Sequence, residues 1–130
     1  MLLQAVMTGE QGELWPSVTE TDKLKTRKLL ENYVKDKQMV LAFSRKSNLP
    51  EQMQKVYQAK KDEVEIIELA LNLIQDDQIK RVIEHRFFKL RRYTDTVMFY
   101  SGCMSNSTVD RYIDKGIAAI ADSLKLWGII

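Results

Sequence analysis

One cysteine, one histidine and two prolines in 130 residues: each scarcity removes a class of protein. The single thiol, Cys103, cannot build an internal disulfide framework, which fits a reducing cytoplasm. One thiol and one imidazole also fall short of a zinc ligand set, so no metal is expected unless carboxylates do most of the work. The five glycines are scattered, and no phosphate-cradling loop can be assembled from them. No apolar run reaches the length of a membrane span. The opening MLLQAVM is seven residues long, lacks a basic n-region and is followed by acids, so it is poorly formed as a signal peptide. The expectation is a cytoplasmic protein with no membrane contact, whose residues 1–18 form an arm that packs on a partner or a frayed end.

Catalytic groups are equally sparse. His85 stands beside Glu84 and Arg86 in a helical stretch, where a surface or capping role is expected. Ser105 and Ser107 have no adjacent base to activate them. Trp15 and Trp127 read as anchors of the chain ends. Neither an enzyme nor a bound cofactor is expected.

What the chain does have is helical periodicity. With 45% hydrophobic residues it can bury a core, and the scarcity of proline and glycine points to an all-α fold. The first helix is expected from about Thr21 to Ser44, capped by Thr19 or Thr21. Leu24, Leu29, Leu30, Tyr33, Val34, Val40, Leu41 and Phe43 supply its apolar positions. Residues 45–49 break it, and Pro50 suits the first turn of the next helix, where a missing amide costs nothing. That helix should run to about Ile74. Its Met53, Tyr57, Lys60, Val64, Ile67, Leu71 and Ile74 alternate spacings of four and three, the seam of a coiled coil or helical hairpin, with Lys60 the polar exception. The short connection folds the two helices most simply into an antiparallel hairpin over 19–75. The alternative is that the 53–74 seam pairs two subunits as a homodimer. A third helix begins at Gln75, Asp76 and Asp77, whose acids favour a helix N-terminus, and its face is Ile79, Val82, Ile83, Arg86 and Phe87.

The stretch Tyr93–Ile120, YTDTVMFYSGCMSNSTVDRYIDKGIAAI, reads as a helix, a tight turn and a second helix. That is the outline of a helix-turn-helix. Thr94 is the expected cap of the first helix, with Val97, Met98 and Phe99 facing inward. Gly102 and Cys103 occupy the turn, where an absent or small side chain allows the reversal, and Cys103 is read as a small packed residue. Met104 should point back into the core, and Ser105 should cap the second helix. Val109, Tyr112 or Ile113, Gly116, Ile117, Ile120 and Leu124 recur at helical spacing as one buried stripe. The opposite face carries Asn106, Ser107, Asp110, Arg111, Asp114 and Lys115, where a second motif helix meets base edges in the major groove of double-stranded DNA. A purely structural hairpin has the same outline, and Asp110 and Asp114 offset Arg111 and Lys115. The last helix should run past Leu124 toward Trp127 and stop at Gly128.

The net charge of +2 is unevenly spread. Residues 19–62 carry eleven Lys or Arg against six acids, whereas residues 63–75 carry three glutamates and no base. Further on, Arg86, Lys89, Arg91 and Arg92 cluster just before the helix-turn-helix. With Thr94 and Ser105 they are the candidate phosphate contacts, the alternative being a solvated basic linker.

The order of these parts resembles a known family. The stretch from IELALNLIQDDQIKRVIEHRFF through MSNSTVDRYIDKGIAAIADSL resembles the sigma-factor-like helix-turn-helix at the end of phage late-gene regulators of the ArpU family. The likeness includes the ALNLI–DD–I–VIEHRFF helix pair, the Tyr-Thr start and the SxST cap of the second motif helix. The segment LWPSVTETDKLKTRKLLENYVKDKQMV is similar to that family's lead-in and basic helix, so the resemblance covers the chain from about Leu14 onward. It implies a phage or prophage transcriptional regulator that binds promoter DNA of late genes, with RNA polymerase as a further partner. It puts Asn106, Ser107, Asp110, Arg111, Asp114 and Lys115 on the recognition helix and Thr94 at the start of the supporting one. The organisation expected is an arm over 1–18, an N-terminal antiparallel hairpin over 19–75 and a sigma-factor-like helix-turn-helix bundle over 76–130. A competing reading from another class is a protein-interaction or small-terminase-like packaging module, whose helices oligomerise.

Overall fold

Thr19 starts the first helix by a reciprocal exchange. Its hydroxyl accepts from the Asp22 amide at 3.1 Å, and the Asp22 carboxylate accepts from the Thr19 amide at 2.9 Å. Two donors that a helix start leaves unpaired are thereby satisfied. The structure, a computed structural model, describes residues 18–89 and 91–130. Apart from Val18, the arm expected over 1–18, with Trp15, lies outside the described residues.

Among the described residues the chain is all-α, with no strand. The elements are α1 (Glu20–Glu31), α2 (Tyr33–Ser44), α3 (Glu51–Asn72), α4 (Asp77–Ile83), a π-turn (Glu84–Phe88), α5 (Tyr93–Tyr100) and α6 (Asn106–Leu126). None of these helices is long and apolar enough to cross a membrane.

The single helix expected from Thr21 to Ser44 is two helices, divided at Asn32. The division has a tertiary cause, because the halves answer to different partners. α1 packs on α6: the Lys125 ammonium reaches the Asp22 carboxylate at 2.7 Å, and Lys23 reaches Asp114 at 3.4 Å. Lys125 and the Thr19 amide hold the Asp22 carboxyl down at about 2. α2 lies antiparallel to α3, with the Tyr33 hydroxyl donating to Glu68, Lys37 at 2.9 Å from the same carboxylate, and the Phe43 and Tyr57 rings 6.4 Å apart. Asn32, a weak helix former, is where the chain turns from one partner to the other.

Of the α3 seam, Val64, Ile67 and Leu71 are buried in the chain's own core. Lys60, its polar position, lies 3.6 Å from the buried Asp36 of α2. Leu30, Tyr33, Ile67, Val82, Ile83, Ile117, Ile120 and Leu124 belong to the buried core, and the short α5 adds Val97 and Tyr100, partly buried against it. At the crossing of α4 and α6, Gly116 lets Ile83 and Ile79 approach the α6 backbone closely.

Local signals set the other helix ends. The Asp76 carboxylate accepts from the Gln78 and Ile79 amides, which starts α4. At the end of α6, Gly128 takes φ 75°, and the Ile129 amide donates back to the Leu124 carbonyl at 2.8 Å. That left-handed step is one a side chain would resist. Trp127, read as an anchor, is the cap residue itself and stays partly exposed.

Candidate nucleic-acid interface

The segment that could face a nucleic acid is built on α6. Ser105 caps it, its hydroxyl accepting from the Thr108 amide at 3.2 Å. Val109, Ile113, Gly116, Ile117, Ile120 and Leu124 then bury one face, while Asn106, Ser107, Asp110, Arg111, Asp114 and Lys115 are all exposed. Two of these six are tied to other helices. The Tyr93 hydroxyl of α5 donates to Asp110, and Lys23 of α1 donates to Asp114. Each acid on this face therefore has a donor of its own. Arg111 and Lys115 make no ion pair among the described residues.

The four cations preceding α5 separate into two kinds. Lys89, Arg91 and Arg92 are exposed, Arg92 lying 3.5 Å from Asp95. Arg86 lies inward, as its place on the face of Ile79, Val82 and Ile83 implies. Its guanidinium stands 4.6 Å over the Phe87 ring, donates to the Arg91 carbonyl at 3.0 Å and lies 3.9 Å from Glu31. It braces the loop rather than facing solvent.

α5 departs from expectation in its start and its faces. Arg92, not Thr94, is the cap position, and the Asp95 carboxylate accepts from the Arg92 amide at 3.1 Å, which holds that carboxyl below its usual range. Thr94 is an exposed residue of the first turn. Met98 and Phe99, expected inward with Val97, are 74% and 66% exposed, while Thr96 is wholly buried. The reversal after α5 rests on the Cys103 and Met104 amides, which donate to the Tyr100 carbonyl at 3.0 and 2.8 Å. A side chain at Gly102 would meet open space, so this turn does not demand glycine. Cys103, expected to pack, is exposed.

His85 explains the inversion. Expected at the surface or at a cap, it is buried. Its Nδ1 lies 2.9 Å from the Thr96 hydroxyl, its ring stacks on Phe99 at 4.4 Å, and Tyr100 meets it edge-on at 5.8 Å. The π-turn supplies the reason, since its wider turn swings residue 85 toward α5 where regular helical phase would leave it outside. Thr96 is drawn in because the imidazole needs a hydrogen-bond partner.

Burial, and then the nearby Arg91 and Lys89 charges, push the His85 pKa below its ordinary value. Folding thus favours the neutral ring. Its contribution is fully present above the unfolded pKa of about 6.5 and is lost as pH falls toward the lower folded value. The urea midpoint should drop between pH 7.5 and 5.5 by more in the wild type than in His85→Gln. Glu63, whose carboxyl burial pushes up, works in the opposite direction, so the comparison with the variant isolates the histidine. Equal drops in both proteins would show that His85 carries no such linkage.

Among the described residues, no group of three or more His, Cys, Asp or Glu is placed to hold a metal ion. No protein-family model, no curated protein and no solved structure matches the chain.

Proposed function

We propose that the chain is a DNA-binding regulator that reads duplex DNA with the first turns of α6, held by α5 in the manner of a sigma-factor-like helix-turn-helix. The observation that carries this reading is the two-sidedness of α6. Seven residues of one face are buried, while all six polar positions of the other stand in solvent, and Lys89, Arg91 and Arg92 ahead of α5 are exposed as well. A helix bound into its own domain on one side and polar on the other is what a major groove can receive. Asn106, Ser107 and Arg111 are the base-reading groups, Asp110 and Asp114 limit which edges are accepted, and Lys115 extends the face. Lys89, Arg91 and Arg92, with Thr94 and the capped Ser105 turn, meet phosphates. Arg86 supports them from inside. The resemblance to ArpU-family regulators brings to the proposal a phage or prophage late promoter as the target, with RNA polymerase as the further partner.

Fluorescence anisotropy on a duplex selected from random sequence, and on an unselected duplex, tests the assignment. Arg111→Ala should weaken the selected duplex by about 1–3 kcal/mol and leave the unselected one nearly unchanged. Arg91→Ala or Arg92→Ala should weaken both alike and lower the log–log salt slope by about one. Wild-type binding of both duplexes by Arg111→Ala would remove α6 from the reading role.

A further inference from the structure

The inward seam of α3 leaves a second stripe outside. Glu65, Leu69 and Leu73 follow one another at intervals of four residues, with the two leucines 52% and 51% exposed. Elsewhere on the surface, Met98 and Phe99 of α5 stand out beside Lys89 and Arg91, lining one open depression with His85 and Asp95. Asp95 is held by Arg92, whereas Lys89, Arg91 and Glu65 make no ion pair among the described residues. The chain therefore carries an apolar patch with a basic rim and an apolar helical stripe with an acidic lead.

We infer that the protein self-associates by laying the Leu69–Leu73 stripe of one copy on the Met98–Phe99 patch of another, with Glu65 facing Lys89 and Arg91. A second copy is the fitting occupant because both complements, in shape class and in charge sign, belong to this one sequence. The contact is a helical stripe laid on the two apolar side chains of a depression whose other lining groups are ionisable, with anchors at i and i+4. It joins unlike surfaces, so it generates a ring or a string of copies rather than a symmetric pair meeting patch to patch. Two apolar side chains on each face bury far less than a standard interface, so the association is weak, concentration-dependent and loosened by salt. Lys89 and Arg91 are also the proposed phosphate contacts, so duplex DNA and a second copy would compete for this rim.

Sedimentation equilibrium over a concentration series tests it with two variants, Met98→Glu and Leu69→Lys. Both side chains are more than half exposed, so the helical content measured by circular dichroism should match the wild type. The wild-type average mass should rise with concentration above that of one chain. Each variant alone should associate at least about tenfold more weakly, the scale of one lost apolar anchor with a misplaced charge. An equimolar mixture should form two-chain particles and nothing larger, because Met98→Glu keeps an intact stripe and Leu69→Lys an intact patch. A wild type that stays monomeric at its highest concentration, variants that associate as well as the wild type, or a mixture that fails to pair would each overturn the inference.

Discussion

A Gly116→Val chain should lose about 3 kcal/mol or more of folding stability and melt roughly 10 °C lower. A first side-chain carbon at 116 would stand 2.2 Å from Ile83 Cγ1 and 2.5 Å from its Cδ1, with Ile79 Cγ2 at 3.3 Å. Ile83 is wholly buried, so it cannot swing into solvent to make room. Either its χ angles leave their wells or α4 lifts from α6. Valine adds two further methyls at the same point. Gly116→Ala brings the same clash but recovers about 1 kcal/mol of helix propensity, so its loss should be smaller than that of valine. Ile83→Ala alone opens a cavity at a cost of about 2–5 kcal/mol. Combined with Gly116→Ala it should cost less than the two singles together, since the new methyl then enters vacated space. A Gly116→Ala chain that melts at or above the wild type would mean that the α4–α6 crossing is looser than these distances require.

The stripe containing Gly116 was readable from its own period, because each buried residue of α6 is fixed by the one a turn earlier. The Ser105 cap, and Thr19 as one of two candidates, were readable for a similar reason, since the acceptor and its amide lie within three residues; the acids at 75–77 marked the start of α4 without singling out Asp76 as its cap. Asn32 was not. Apolar positions run through it without a phase change, and what parts α1 from α2 is a set of contacts about a hundred residues away, Asp22 with Lys125 among them. α5 misled for a different reason. Its Val97 packs against the core as hydropathy implies, but Met98 and Phe99 stay outside while the polar Thr96 is buried, because the buried imidazole of His85 takes its hydroxyl as partner. The polar face of α6 emerged exposed as its amphipathicity implies. Among the cations before α5, Arg86 shares the periodic face of Ile79, Val82, Ile83 and Phe87 and does lie inward, whereas Lys89, Arg91 and Arg92 fall beyond that period and stay exposed.

Lys60 offers a sharper case of a pattern broken for a reason. Replacing it with methionine completes the apolar seam of α3, yet should destabilise the chain by about 1–3 kcal/mol. The Asp36 carboxylate is buried, one of its oxygens has no hydrogen-bond partner, and the Lys60 ammonium at 3.6 Å is the cation beside it. Removing one partner of a buried pair leaves an uncompensated charge, at about 3–5 kcal/mol when the pair is fully enclosed. Lys60 is 35% exposed, so water screens part of that loss and the smaller range applies. Glu63, which Lys60 also reaches at 3.8 Å, adds a second acid to the same pocket, and its carboxyl is already pushed up by burial. The double change Asp36→Leu with Lys60→Met should then reverse the sign. With the charge pair gone and the space filled by apolar groups, stability should return to the wild-type value or exceed it by about 1 kcal/mol. Urea denaturation of the two singles and the double at pH 7 gives the coupling directly. A double variant less stable than either single would show that α2 and α3 depend on the ion pair for their attraction, rather than only tolerating it in a seam that hydrophobic packing closes.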